Sequence, residues 1–256
     1  MKLRREYVEK PWGRTELPPM FDAPHGRRIG EVWFTGAGDQ PLLVKYIFTS
    51  ERLSIQVHPN DQQARDRGLR QGKNECWYIL DADAGATLGL GLNRELSGEE
   101  LRRAALDGSI EDLMDWRAVR SGDFFYVPAG TIHAIGGGIS LLEFQQNADV
   151  TYRLYDYGRP RELHLEDGIA VARAEPYPAS LAQHLSRDDE RTLVDGPRFV
   201  LACAQADVFA DRQRWVIPLE GFARSGPDTA VPGDCMLVPA GEPVESDGRM
   251  LIGATA

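Results

Sequence analysis

The chain has 256 residues, of which 42% are hydrophobic, and its 29 Lys and Arg residues against 39 Asp and Glu residues give a formal net charge of −10 at pH 7. This length suffices for one large domain or two small ones, and the negative charge disfavours nucleic acids and acidic membrane surfaces as partners. Because no run of about 18 apolar residues and no apolar leader occur, we expect a cytoplasmic protein with no membrane contact.

Short runs of β-branched, aliphatic and aromatic residues recur along the chain, for example at 42–48 and 76–80, and 26 Gly and 16 Pro residues punctuate them. This pattern predicts an all-β sandwich or barrel. The charged segment 61–70 predicts a surface helix. Residues 97–116 predict short helices divided at Gly108, since a capping-box pattern begins at Ser97.

The three cysteines are widely scattered, which disfavours both a disulfide framework and a cysteine-based zinc site. Any metal in this protein must therefore be held by nitrogen and oxygen atoms.

An internal repeat relates two parts of the chain. Residues 122–133 align with residues 233–244, an offset of 233 − 122 = 111. Each copy has a Gly-Asp turn, an apolar strand and a Pro-Ala-Gly turn, which predicts two β-barrels in tandem. The first copy ends in His133 and the second in Val244, so we expect the second barrel to have kept the fold and lost a metal site.

The first copy has the pattern Gly-x₅-Pro-x-Gly-x₂-His, which resembles the second sequence motif of the cupin superfamily of jelly-roll barrels. Two further segments, 54–61 (SIQVHPND) and 72–80 (GKNECWYIL), resemble the metal-binding segments of type I mannose-6-phosphate isomerases. Five more segments are similar to this family in the same order along the chain, namely 10–13, 29–33, 43–45, 127–134 and 147–156.

The resemblance implies a mainly β fold of tandem cupin barrels with short helical insertions, in the compact bacterial form of the family. We expect a metal-binding catalytic barrel at 1–172, which contains the short helical insertion at 97–116. A connector at 173–197 and a degenerate second barrel at 198–256 should follow.

Four residues match the metal ligands of the family, and the resemblance implies one Zn²⁺ per chain bound by Gln56, His58, Glu75 and His133. Their spacing is compatible with one site, because residues two apart on a strand face the same side. Gln56 and His58 form one such pair, and Lys73 and Glu75 form another. Two nitrogen and two oxygen donors suit zinc and other borderline metals.

The implied reaction is the interconversion of mannose 6-phosphate and fructose 6-phosphate through an enediol. The resemblance implies that Arg153 stabilises the enediolate. Asp149, Lys73 and His58 are the candidates for proton transfer, and the sequence does not apportion their roles. Asp149, on the same strand face as Arg153, is expected to stay ionised, and a nearby metal could depress the pKa of Lys73.

Ser54 and Lys45 are the candidate residues for binding the phosphate end of the substrate. Lys45 lies in an apolar run, so its ammonium must reach water or meet an anion. The other histidines, His25, His164 and His184, lie in polar segments and are predicted to be on the surface.

Other functions remain open for a metal-binding cupin. Two histidines and a carboxylate would also allow a different sugar isomerase or an Fe²⁺-dependent oxygenase, and a sugar-binding cupin without catalysis is a third possibility. A sugar phosphate is the expected partner, nucleic acid is not, and the protein is expected to be a monomer or a small homo-oligomer.

Overall fold

The structure, a computed structural model, describes residues 1–36 and 38–256. It is mainly β, with antiparallel sheets arranged as two barrels, which confirms the predicted fold class. Among these residues, none of the helices has the length and apolar character that crossing a membrane requires.

Twelve strands of the described residues build the first barrel. In chain order they are β1 (Arg4–Arg14), β2 (Ile29–Thr35), β3 (Leu42–Phe48), β4 (Ile55–Val57), β5 (Glu75–Ala82), β6 (Thr87–Leu92), β7 (Met114–Ala118), β8 (Asp123–Val127), β9 (His133–Ile135), β10 (Ile139–Gln146), β11 (Tyr152–Tyr155) and β12 (Ala182–His184). One sheet has the order β1-β2-β3-β10-β5-β8-β12 and the other β11-β4-β9-β6-β7. Apolar side chains of both sheets, such as Trp77 and Leu90, pack together between them.

Eight strands of the described residues build the second barrel. They are β13 (Arg191–Asp195), β14 (Phe199–Ala204), β15 (Arg214–Pro218), β16 (Ala223–Ser225), β17 (Asp228–Ala230), β18 (Met236–Val238), β19 (Glu245–Ser246) and β20 (Met250–Thr255). Their sheets have the orders β13-β14-β20-β15-β18 and β17-β16-β19. The two barrels share a core in which Phe144 of β10 packs edge-to-face against Phe199 and Trp215.

The segment 173–197, predicted as a connector, contributes strands to both barrels. Its β12 pairs with β8 at the edge of the first barrel, and its β13 pairs with β14 of the second. It also contains a 3-10 turn at Ala179–Leu181.

Four short α-helices occur among the described residues: α1 (Asp61–Arg65), α2 (Gly98–Asp107), α3 (Ile110–Leu113) and α4 (Leu165–Val171). The capping box at Ser97 and the end of α2 at Gly108 are confirmed. The insertion differs at its end, since residues from Met114 leave the helix and pair with β6. The helix predicted over 61–70 ends at Arg65, because the chain turns there and Gly68 adopts a positive φ of 73°.

The internal repeat is preserved in backbone conformation. Gly122 and Gly233, which open the two copies, have φ of 90° and 93°, and Gly130 and Gly241, in the Pro-Ala-Gly turns, have φ of 88° and 82°. Side chains strongly disfavour this region of φ, so each turn requires glycine. The matching conformations confirm that the two segments build the same turn-strand-turn unit.

The two copies differ in what they bury. His133 lies among polar ligand-type side chains, whereas Val244 packs in an apolar cluster with Val216, Val238 and Ile252. The interior of the second barrel is therefore an ordinary hydrophobic core at this position.

Candidate metal centre and active site

Three segments of the first barrel bring the predicted metal ligands together. Gln56 lies on β4 and His58 directly follows that strand, while Glu75 begins β5 and His133 begins β9. Gln56 and His133 are direct cross-strand partners, and Glu75 reaches the site from the opposite sheet. Residues separated by up to 77 positions in sequence thus meet inside one barrel.

The ligand atoms converge closely. His58 Nε2 is 3.5 Å from Glu75 Oε2, and His133 Nε2 is 3.4 Å from Glu75 Oε1. The amide Nε2 of Gln56 donates a hydrogen bond of 3.2 Å to His133 Nε2. His58, Glu75 and His133 offer ligand atoms that all lie within 4.8 Å of one another, and each residue is at most 2% exposed.

Hydrogen bonds to backbone carbonyls orient both imidazoles. Nδ1 of His58 lies 2.7 Å from the carbonyl oxygen of Val150, and Nδ1 of His133 lies 2.9 Å from that of Thr131. A carbonyl only accepts, so each Nδ1 carries the proton and each Nε2 keeps its lone pair for the site. Burial, together with the nearby ammonium of Lys73, lowers the pKa of His58 well below its usual value and that of His133 to about 4. Both rings are therefore neutral, as metal ligands must be.

The residues fit a divalent metal ion. His58 Nε2 is buried and has no hydrogen-bond partner in the part of the chain that the structure describes, and the buried Glu75 Oε2 beside it is contacted by the ammonium of Lys73. Buried polar atoms without partners are costly. A cation between the two imidazoles and the carboxylate would satisfy them at once.

Backbone packing fixes the position of the Lys73–Glu75 segment. A Cβ on Gly72 would lie only 2.4 Å from backbone atoms of Pro59 and Asn60, so only glycine allows this close approach. Asn74 then ties the segment to its neighbours: its Nδ2 donates to Gln146 Oε1 at 2.7 Å, and its Oδ1 accepts from the amide of Ala129 at 3.0 Å.

A buried cluster of charges adjoins the ligands. Lys73 Nζ is 2.9 Å from Glu75 Oε2 and 3.9 Å from Glu143 Oε1, and Lys45 Nζ is 3.5 Å from the same Glu143 oxygen. Lys45 also stacks on the ring of Trp33 at 4.6 Å. The ammonium of Lys45 was expected to reach water or to meet an anion. The structure confirms the second alternative, and the anion is the carboxylate of Glu143.

The predicted depression of the Lys73 pKa depends on a nearby metal ion and stays a prediction, whereas the protein groups around Lys73 act in the opposite direction. Burial favours the neutral amine, but the carboxylates of Glu75 and Glu143 outweigh it and raise the pKa of Lys73. Burial also raises the pKa of Glu75 to about 7, although Lys73 opposes that shift. For Glu143 the balance differs, because burial is outweighed by Lys73 and Lys45 and its pKa is lowered. Glu143 is therefore a buried carboxylate that stays ionised.

Sequence reasoning missed Glu143. Its signal was present: it is a lone carboxylate in the apolar strand β10, just as Lys45 is a lone ammonium in β3. Two opposite charges in apolar strands are best explained as partners, and they are direct cross-strand neighbours here. One Glu143 oxygen accepts from Trp77 Nε1 at 3.0 Å, while its Oε1 has no hydrogen bond among the described residues.

A cavity of about 330 Å³ opens beside these groups and is lined by Gln56, Lys73, Glu75 and Glu143 together with the predicted residues Ser54, Lys45, Asp149 and Arg153. Ser54 donates to Gln56 Oε1 at 3.1 Å. The cavity therefore joins two of the predicted ligands, Gln56 and Glu75, to the residues predicted to act on or bind the substrate, whereas the ligands His58 and His133 are not part of its lining.

Asp149 and Arg153 do not share a strand. Asp149 is exposed in the loop before β11, whereas Arg153 lies within β11 opposite Gln56. The two residues form no ion pair in the described structure, so the expected Asp149–Arg153 pair on one strand face is wrong. The loop that carries Asp149 packs its neighbour Val150 against His58, and this contact replaces regular strand pairing.

The surface assignment is correct for His25 and His184, which are exposed, and wrong for His164. His164 is half-buried and lines the cavity next to Arg153. Its segment is polar because it faces this cavity, and sequence polarity alone does not distinguish a cavity wall from the outer surface.

No family model matches the chain. The mannose-6-phosphate isomerase ManA of Bacillus subtilis is 46% identical over 219 residues, which cover 70% of this chain and 69% of that protein. The mannose-6-phosphate isomerase of Streptococcus mutans is 46% identical over 137 residues, and the match spans 51% of this chain and only 43% of that relative's length. A crystal structure of the mannose 6-phosphate isomerase from Bacillus subtilis superposes with a TM-score of 0.79 at 27% identity, over 98% of both chains.

Proposed function

The chain belongs to the mannose-6-phosphate isomerase family, and on this premise we propose that it interconverts mannose 6-phosphate and fructose 6-phosphate in the cavity beside its metal centre. The observation that carries this proposal is the convergence of His58, Glu75 and His133 next to the buried Lys73 and Glu143. An aldose–ketose isomerase needs such a combination, because it must polarise a carbonyl and move protons between adjacent carbons and oxygens.

One Zn²⁺ per chain is the proposed cofactor, held by His58, Glu75, His133 and Gln56. The Gln56 amide now donates through Nε2, and a half-turn about its terminal bond would present Oε1 instead. Two nitrogen and two oxygen ligands suit zinc. When bound, the ion would act as a Lewis acid on the substrate oxygens.

The proton movements fall to the buried charges. From the aldose, a base removes the proton at C2 while O1 gains a proton, which gives the enediol; the proton then returns to C1 and O2 loses its proton, which gives the ketose. Glu143 is the best-placed base, since it is ionised and its Oε1 has no hydrogen bond among the described residues. Lys73 keeps its proton and can donate it to an oxygen.

The other predicted catalytic residues take supporting roles in this scheme. Asp149 is a second possible base at the cavity mouth. Both ring nitrogens of His58 are engaged, one with Val150 and one towards the metal site, so its contribution is as a ligand. Arg153 brings a guanidinium that has no ion-pair partner among the residues that the structure describes, and this group can stabilise the enediolate. Ser54 and Lys45, which line the same cavity, are proposed to bind the substrate.

The proposed setting is the cytoplasm, where the three buried free cysteines would stay reduced. Since every group of the site comes from one chain, a monomer would suffice, and a small homo-oligomer is equally compatible with the proposal.

The test is an isomerase assay on the zinc-loaded protein. Fructose 6-phosphate should form from mannose 6-phosphate, and a chelator should abolish its formation. The variant His133→Ala should lose both bound zinc and turnover, whereas His184→Ala, which changes an exposed histidine outside the cavity, should keep both. Turnover that survives in His133→Ala would contradict the site, and equal turnover of glucose 6-phosphate would contradict the substrate.

A further inference from the structure

His164 is held against Arg153 by a reciprocal pair of hydrogen bonds. The amide of His164 donates to the carbonyl oxygen of Arg153 at 2.8 Å, and the amide of Arg153 donates to His164 Nδ1 at 3.3 Å. The imidazole thus continues the sheet edge beyond β11. The centroid of its ring lies 6.2 Å from that of the Tyr152 ring. A half-buried ring fixed in this way is preorganised rather than mobile.

These contacts define the tautomer. Because Nδ1 accepts a hydrogen bond, the ring proton of neutral His164 must be on Nε2. No described residue accepts a hydrogen bond from that Nε2, and the side chain lines the cavity. His164 therefore offers the cavity an unused donor.

The strand register orders this wall of the cavity. His133 lies opposite Gln56, Gln56 lies opposite Arg153, and Arg153 is bonded to His164. Neighbouring strands are about 4.8 Å apart, which places His164 roughly 10 Å from Gln56 along the row. A hexose phosphate whose reacting carbons lie at the metal would extend its phosphate end in this direction.

Charge balance favours the same corner. The cations that line the cavity mostly have carboxylate partners already: Lys10 pairs with Glu31, Lys45 and Lys73 with Glu143 and Glu75, and Arg161 with Asp156. In the described part of the chain, Arg153 alone among them has no ion-pair partner. A phosphate dianion is attracted most strongly where positive charge is not yet compensated.

We propose that His164 is a phosphate-binding residue of the substrate site, which donates from Nε2 to a phosphate oxygen beside the Arg153 guanidinium. The inference rests on the proposed function for the identity of the substrate. It assigns the phosphate to the β11 edge of the cavity and leaves Lys45, already paired with Glu143, to the sugar.

Two substitutions separate a binding role from a structural one. His164→Asn keeps an acceptor near the position of Nδ1, so it preserves the bond from the Arg153 amide, but it removes the Nε2 donor. His164→Gln places an amide nitrogen near the position of Nε2 and gives up the Nδ1 bond. His184→Asn is the matched control, since His184 is exposed and bonded to Asp123 outside the cavity.

The experiment titrates inorganic phosphate into the zinc-loaded proteins by calorimetry and measures KM and kcat for mannose 6-phosphate. His164→Asn should bind phosphate about tenfold more weakly, equivalent to about 1.4 kcal/mol, and raise KM by a similar factor with kcat within threefold. His164→Gln should stay within threefold of the wild type and of His184→Asn.

Equal phosphate affinity in His164→Asn and the wild type would overturn the inference. That result is expected if phosphate binds the zinc ion instead of His164. A His164→Gln variant that is weaker than His164→Asn would assign the histidine a structural role and also overturn it. If the wild type fails to isomerise mannose 6-phosphate but the calorimetric differences appear, the proposed function is wrong while the phosphate site is supported.

Discussion

Lys45 and Glu143 lie directly opposite each other on β3 and β10, and their side chains form a buried ion pair with 3.5 Å between Nζ and Oε1. The same Glu143 oxygen is 3.9 Å from the ammonium of Lys73. Two cations therefore keep one carboxylate ionised although it is buried. This is the environment in which a carboxylate can act as a base without prior loss of a proton.

The variant Glu143→Gln tests that role. The amide preserves the volume and can still accept from Trp77, but it cannot take a proton, so kcat should fall by about 10² to 10⁴ with zinc content unchanged. Glu31→Gln is the control, because Glu31 lines the same cavity and already pairs with Lys10 and Trp33. A kcat for Glu143→Gln that is no lower than that of Glu31→Gln would exclude Glu143 as the base.

Zinc should stabilise the fold strongly. His58 Nε2 is buried without a hydrogen-bond partner among the described residues, and an ion at about 1,000 times its dissociation constant adds roughly 4 kcal/mol to the free energy of unfolding. Denaturation of wild type, His58→Ala and Gln56→Ala with zinc or with chelator measures the effect. The zinc-dependent gain should vanish in His58→Ala and persist in reduced form in Gln56→Ala, where three ligands remain. An undiminished gain in His58→Ala would show that the ion binds elsewhere.

Asn74 should contribute to both stability and metal affinity. Its side chain joins the Lys73–Glu75 segment to Gln146 and to the turn that precedes His133. Removal of this amide in Asn74→Ala leaves the partly buried amide of Ala129 and the buried Gln146 oxygen with fewer partners, which typically costs about 1–3 kcal/mol.

Urea denaturation of the metal-free protein and a zinc titration measure the two effects. Zinc affinity should fall together with stability, because the segment that carries Glu75 loosens. The control is Asn93→Ala, since Asn93 is exposed and its side-chain amide donates to the carbonyl oxygen of Asp112 outside the site. Equal stability of the two variants would contradict the clamping role of Asn74.

The fold and the convergence of the candidate metal ligands could be predicted from the sequence because each has a local signature. The turns of the repeat require glycine at fixed positions, and the short spacings from Gln56 to His58 and from Lys73 to Glu75 suggested shared faces, although His58 and Lys73 lie just outside the strands of their partners. The family resemblance then linked these segments, and the identity shared with the Bacillus subtilis relative confirms it.

The remaining site residues could not be predicted because they depend on tertiary contacts. The pairing of Glu143 with Lys45 follows from the alignment of β3 with β10, which no local pattern states. His164 reaches the cavity only because its segment folds back along the edge of β11. The protein groups around Lys73 raise its pKa because two buried carboxylates lie next to it, and one of them, Glu143, was not among the predicted residues.

The internal repeat leads to a prediction about the second barrel. Val244 occupies the position of His133, yet its side chain is buried with Val216, Val238 and Ile252, and the carboxylate of Asp207 near its amide is already paired with Arg214. Val244→His should therefore bind no second zinc ion. It should also lower the free energy of unfolding by about 1–3 kcal/mol, since a polar ring is buried with few partners. Zinc content per chain and urea denaturation, compared with the isosteric variant Val244→Thr, provide the measurement. A stoichiometry of two zinc ions per chain would contradict this prediction. It would mean that the second barrel has kept a latent metal site, which lacks only the histidine that corresponds to His133.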